Sequence, residues 1–142
     1  MSRSRSDPHR LAAIYAGGVI GALARVGLAE AAPHGTASWP WATFAANLAG
    51  ALLLGFVVAA MRAHPPESPR FAFVTTGVCG TLTTFATLQL ELYEMVDAGH
   101  LGLAAGYVAA TLAAGYALVG AGLAVGSHWT DGAQGEPRSG AR

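Results

Sequence analysis

Apolar residues run almost unbroken through four stretches of this chain, roughly Leu11 to Ala29, Trp39 to Met61, Phe71 to Val96 and Leu101 to Ser127. Each is compatible with the about 20 residues that a helix needs to cross a bilayer. The breaks between them carry turn chemistry: Pro33-His34-Gly35, then His64-Pro65-Pro66-Glu67-Ser68-Pro69, then Asp97-Ala98-Gly99-His100. The pattern predicts an all-α integral membrane domain of four transmembrane helices over residues 11–127. Residues 1–10 and 128–142 are polar and rich in Ser, Gly and Arg, which predicts disordered tails.

The third stretch departs from a plain span. Gly77-Val78-Cys79-Gly80-Thr81-Leu82-Thr83-Thr84-Phe85-Ala86-Thr87 sets two glycines and four hydroxyls where lipid tolerates neither. Threonine hydroxyls in a membrane helix commonly return to carbonyls one turn earlier. Glycines beside the threonine run weaken that account and predict a third helix broken at mid-membrane. Main-chain carbonyls freed in this way suit a bare monovalent cation such as sodium.

Composition narrows the class. With 53% hydrophobic and 11% charged residues and a mean hydropathy of +0.42, the chain is far more apolar than a soluble domain requires. Its formal net charge of zero gives a nucleic-acid partner no electrostatic support. One cysteine, Cys79, supplies neither a disulfide framework nor a zinc site. Arg3, Arg5 and Arg10 before an apolar run ending in Ala22-Leu23-Ala24 imitate a secretory signal. Gly17, Gly18 and Gly21 weaken that run and three more spans follow, so the first helix is expected to be retained.

Gly17 and Gly21, Gly102 and Gly106, and Gly122 and Gly126 each stand four apart, a spacing that brings helix backbones close. Four short spans enclose little space, and a second chain, identical or homologous, is expected. Among polar residues in the spans, Arg25 either snorkels to the interface or draws anions to an entrance. Asn47, with Thr43 one turn earlier, is read as a pore-lining donor in preference to interhelical glue. Phe85 has an aromatic edge that can face an anion. Glu91, Tyr107 and Thr111 form a second polar stripe, although Glu91 also fits a residue nearing the interface.

Successive blocks then carry a resemblance. Gly17-Gly18-Val19-Ile20-Gly21-Ala22-Leu23-Ala24-Arg25, Asn47-Leu48-Ala49-Gly50 with Gly55, and Gly80-Thr81-Leu82-Thr83-Thr84-Phe85-Ala86-Thr87 with Glu91 resemble the signatures of the CrcB/Fluc fluoride channels. The resemblance covers all four spans. It implies an antiparallel dimer with two fluoride pores, and a central sodium ion on the main-chain carbonyls of Gly80 and Thr83 from both subunits. It also implies a pore donor at Asn47 beside Thr43, a pore phenylalanine at Phe85 and a polar track at Glu91, Tyr107 and Thr111. Arg25 matches the family's first-helix arginine. Ala86 stands where the family has a serine, Leu88 where it has a second pore phenylalanine, and Gly115 where it has a fourth-helix serine.

The expected function is therefore passive, fluoride-selective export across the cell membrane, with no enzymatic step. Two alternatives stand beside it: a non-conducting or poorly conducting structural subunit of a heterodimeric channel, suggested by Leu88, and a small multidrug-type exporter. The exporter would want a carboxylate near mid-span in the first two helices, where none occurs. An intramembrane enzyme finds no serine-histidine, paired-aspartate or His-x-x-x-His arrangement in the spans. Arg3, Arg5, Arg10, Arg62, Arg70, Arg138 and Arg142 all fall on one side of a four-span topology, which predicts cytoplasmic termini. So lopsided a chain favours an oppositely oriented homologue as partner over a second copy of itself.

Overall fold

The computed structural model describes residues 7–62 and 68–134. Helix α1 spans Pro8–Ala31 and α2 spans Trp41–Ala60. The third span begins as α3, Pro69–Ala72, widens into a π-helical segment, Phe73–Cys79, and tightens again in α4, Gly80–Leu82. It resumes as α5, Phe85–Asp97, and α6 runs through Leu101–Gln134. Four helical stretches are long and apolar enough to cross a membrane: Pro8–Ala31, Trp41–Ala60, Pro69–Asp97 and Leu101–Thr130. The expected spans agree with these bounds to within three residues at each end, the second reaching slightly beyond its helix and the others lying inside theirs.

Local chemistry accounts for the ends. Asp7 caps α1 by accepting the His9 N–H at 3.0 Å, with Pro8 in the first turn where its missing donor costs nothing. Ser68 caps the third span in the same way through the Phe71 N–H, ahead of Pro69. Gly99 has φ +82, a left-handed conformation that turns the chain from α5 into α6, and the His100 N–H returns to the Met95 carbonyl at 2.8 Å. Both tails are more helical than the sequence suggests. Helix α1 starts at Pro8 and α6 continues to Gln134; the remaining parts of the two expected tails, 1–6 and 135–142, lie outside the described residues.

The helices pack as two parallel pairs. Gly17 and Gly21 set α1 directly on the third span, where a side chain at Gly17 would collide with the Phe73 carbonyl and one at Gly21 with Thr81 and the Val78 carbonyl. Gly122 and Gly126 set α6 on α2 against Leu52, Phe56 and Ala59. Gly102 and Gly106 meet nothing within 4 Å among the described residues, so the third glycine pair faces outward and joins none of the described helices. The pairing places the starts of α1 and of the third span at one end of the bundle, with the end of α2 beside them. Arg10, Arg62 and Arg70 share that end.

Candidate functional site

The helical ladder of the third span stops at two residues. Thr83 (φ −75, ψ 149) and Thr84 (φ −146, ψ 121) are extended, between α4 and α5. The sequence points to Gly77 and Gly80 as the place of unwinding, and the structure moves it. Gly77 is helical and closes on Gly17, and Gly80 is helical with φ −65 and ψ −20. Glycine permits a break there but does not compel one. What interrupts the ladder is competition for its peptide groups.

Asn47 supplies the competition. Its Oδ1 accepts the Thr84 N–H at 2.8 Å and its Nδ2 donates to the Thr84 carbonyl at 3.2 Å, so one amide side chain clasps both backbone groups of one residue. In a continuous helix the Thr84 N–H would go to the Gly80 carbonyl. Thr84 repeats the theft one step on: its Oγ1 accepts the Thr87 N–H at 3.1 Å, the donor that the Thr83 carbonyl would have had. Among the described residues no hydrogen bond reaches the carbonyl of Gly80 or of Thr83. Of the carbonyls between them, Thr81 is taken by Arg25, whose Nε donates at 3.0 Å. Thr83 resolves its own hydroxyl on the Cys79 carbonyl at 2.8 Å.

Two depressions meet at Thr84. A groove of about 500 Å³ is lined by Asn47, Thr83, Phe85, Leu88 and Thr111 as well as Thr84. A smaller cavity of about 150 Å³ lies among Arg25, Glu30, Thr43, Thr84 and Thr87. Asn47 has a second Nδ2 hydrogen with no partner among the described residues, and the buried Thr111 hydroxyl is likewise unpaired. Phe85 is 72% exposed, and its ring stands out from the chain.

A family profile described as CrcB-like protein, Camphor Resistance (CrcB), matches residues 12–123. The chain belongs to the CrcB family. A protein named fluoride-specific ion channel FluC 1 from Mycolicibacterium paratuberculosis is 45% identical over 113 residues, 79% of this chain and 86% of its own length. A protein of the same name from Mycobacterium tuberculosis is 44% identical over 110 residues, covering 77% of this chain and 83% of itself. The fluoride-specific ion channel FluC of Bordetella pertussis is 46% identical over 90 residues, 62% of this chain and 70% of the relative. Four spans and channel-named relatives make this CrcB-family chain a multi-pass membrane protein.

The polar stripe of the CrcB-family chain gathers on one carboxylate. Glu91 is 5% exposed. The Thr43 hydroxyl donates to its Oε1, and the Tyr107 hydroxyl donates to its Oε2 at 2.9 Å. Tyr107 is itself fully buried and edge-on to Trp39, with centroids 5.3 Å apart. Thr111, one turn along α6, joins the groove with Asn47 instead of this cluster. Leu88 packs against the Met95, Ala104 and Tyr107 core while lining the groove.

Two groups escaped the sequence reading. The Thr81 hydroxyl lies 2.9 Å from both the Gly18 and the Gly77 carbonyls and shares its one proton between them, tying α1 to the third span; its spacing from Gly77 was the only signal. His34, in the connection after α1, brings Nε2 to 3.3 Å from Glu91 Oε1. It lies 57 residues away in sequence, and no local pattern joins the two.

Proposed function

We propose that this chain is a subunit of a channel that lets fluoride leave the cytoplasm passively. The observation that carries the reading is the Asn47 clasp on Thr84, which opens the third span beside a polar groove in a chain whose relatives are named fluoride-specific ion channels. Fluoride is small and strongly hydrated, so a low-dielectric interior repels it unless fixed donors replace its water. The free Nδ2 hydrogen of Asn47, held in place by the bonds to Thr84, and the unpaired Thr111 hydroxyl are donors of that kind, while the Thr43 hydroxyl, whose proton goes to Glu91, borders the smaller cavity. Phe85 adds an electropositive ring edge at the groove. Arg25 lines the smaller cavity together with Glu30, and its guanidinium is the group there that would favour an anion.

The reading extends to an antiparallel dimer around a sodium ion. The carbonyls of Gly80 and Thr83 fit such an ion, because the bonds of Asn47 and Thr84 strip both of their helical donors while leaving the backbone fixed. Two oxygens from one chain are too few for a dehydrated cation, and a second chain would supply the others. When bound, sodium contributes positive charge at the dimer centre; holding the helix open remains the task of Asn47 and Thr84. The exposed Phe85 ring and the outward glycines of α6 also suit a chain that is half of an assembly.

Fluoride efflux from proteoliposomes tests the reading, first with this chain alone and then with an oppositely oriented CrcB-family partner. Efflux above protein-free vesicles in either arm is expected. Its absence from both, with the protein folded, overturns the proposal.

A further inference from the structure

We infer that His34 is a positioning residue for conduction, supplying through a proton on its imidazole the counter-charge for Glu91 at the mouth where α1 ends. The inference rests on the fluoride-channel reading. Glu91 is a buried carboxylate held by two neutral hydroxyls, Thr43 and Tyr107, and hydroxyls orient a negative charge without cancelling it. Thr43 is the link to the ion path, because it belongs both to this cluster and to the cavity that contains Arg25. While Glu91 is uncompensated, the Thr43 proton is committed to it, and the Thr43 oxygen and the carboxylate together oppose an anion entering that cavity.

His34 Nε2 lies 3.3 Å from the same carboxylate oxygen that Thr43 serves, and the His34 side chain is 22% exposed against 5% for Glu91. A proton can therefore reach the imidazole from water while its charge acts on the buried group. Histidine is the side chain whose ordinary titration falls between pH 5 and 8. The other titratable and charged groups around this mouth come from each element packed there. From α1, Arg25 and Glu30 line the adjoining cavity; α2 has no ionisable side chain; α5 presents Glu91 and α6 presents Tyr107. Glu94, Asp97 and His100 stand at the same end, exposed, and none pairs with His34. Of the two imidazoles at this end, His34 is the one that touches Glu91.

The experiment measures fluoride efflux from proteoliposomes between pH 5.5 and 8, with protein-free vesicles subtracted for leak of the neutral acid, for the native chain (with its partner if one is needed), His34→Gln and His34→Arg. Native flux should rise about three- to fivefold toward low pH, the ratio expected of a partly exposed ion pair. His34→Gln should be flat and low, and His34→Arg, carrying a fixed charge, flat and high. Hydrogen exchange of residues 32–39, compared with His34→Gln at the same pH, gives a readout that needs no conduction: native protein should be more protected at pH 6 and equal at pH 8. Native and His34→Gln profiles that coincide overturn the role in conduction. Exchange that never differs between them overturns the contact itself, whether or not the protein conducts. Protection that differs as expected in a protein with no flux overturns the channel reading, and with it the conduction role.

Discussion

Asn47 donates to the Thr84 carbonyl and accepts the Thr84 N–H, and aspartate can repeat only the second of these bonds. In Asn47→Asp a carboxylate oxygen would face the Thr84 carbonyl oxygen, and a negative charge would stand in the groove offered to an anion. Loss of a buried donor in such a pair costs about 1–3 kcal/mol. Fluoride efflux is expected to fall to that of protein-free vesicles, with a lower melting temperature in detergent. Unchanged efflux from folded protein would remove Asn47 from the path. Gly80 offers a contrasting test. A methyl group there has its nearest neighbour, the Thr75 carbonyl, at 3.8 Å, and the backbone is ordinary helix. Gly80→Ala should therefore leave the single chain as stable as before, or slightly more so. If the Gly80 carbonyl holds sodium between two chains, the same variant, which leaves that carbonyl in place, should keep the extra thermal stability that sodium confers on the native protein over a large organic cation. Equal stability of the native protein in both salts would count against the ion.

Among the elements, the π-helical segment Phe73–Cys79 is where α1 presses closest, and Gly17 and Gly21 are the residues that permit it. Gly21→Val is expected to destabilise the fold by about 1–3 kcal/mol, as overpacking does, because Thr81 and the Val78 carbonyl would both have to move. Gly106→Val, with open space around it, should leave the melting temperature of the isolated chain unchanged. Thermal melts of the two variants in detergent check the pair, and equal losses would refute the packing assignment. Their sequence spacing is identical, and that spacing could not tell an inner glycine face from an outer one. Hydrophobic length made the four spans legible, since lipid imposes it on every crossing helix. The threonine-glycine run likewise showed that the third span would not be regular. Its point of interruption was hidden, because it depends on Asn47, 37 residues away, reaching the Thr84 peptide. The partnership of Glu91 with His34 was hidden for the same reason: contacts across a bundle leave no periodic trace in the chain.

For the whole molecule, the question is which way it sits in the membrane and what it sits beside. The parallel pairing of α1 with the third span puts Arg10, Arg62 and Arg70 at one end, and Arg3, Arg5, Arg138 and Arg142, outside the described residues, belong in sequence to the same side of an up-and-down chain. The opposite connections contain no Lys or Arg. Arg25, the one remaining cation of this kind, is spent on the Thr81 carbonyl within the bundle. By the positive-inside rule, a charge bias of that size predicts a single orientation, with the termini in the cytoplasm. An antiparallel dimer of identical chains needs the reverse, a chain that inserts both ways with similar ease. The expected partner is therefore a CrcB-family chain of opposite charge bias, which would also bring its own residues to a pore in which Leu88 offers no ring edge. A reporter fused to the carboxyl terminus should signal from the cytoplasmic side alone, and fluoride-sensitive cells should gain resistance only when the partner is co-expressed. Signals of equal strength from both sides of the membrane, or full resistance from this chain by itself, would show instead that the arginines do not set its orientation and that two copies suffice.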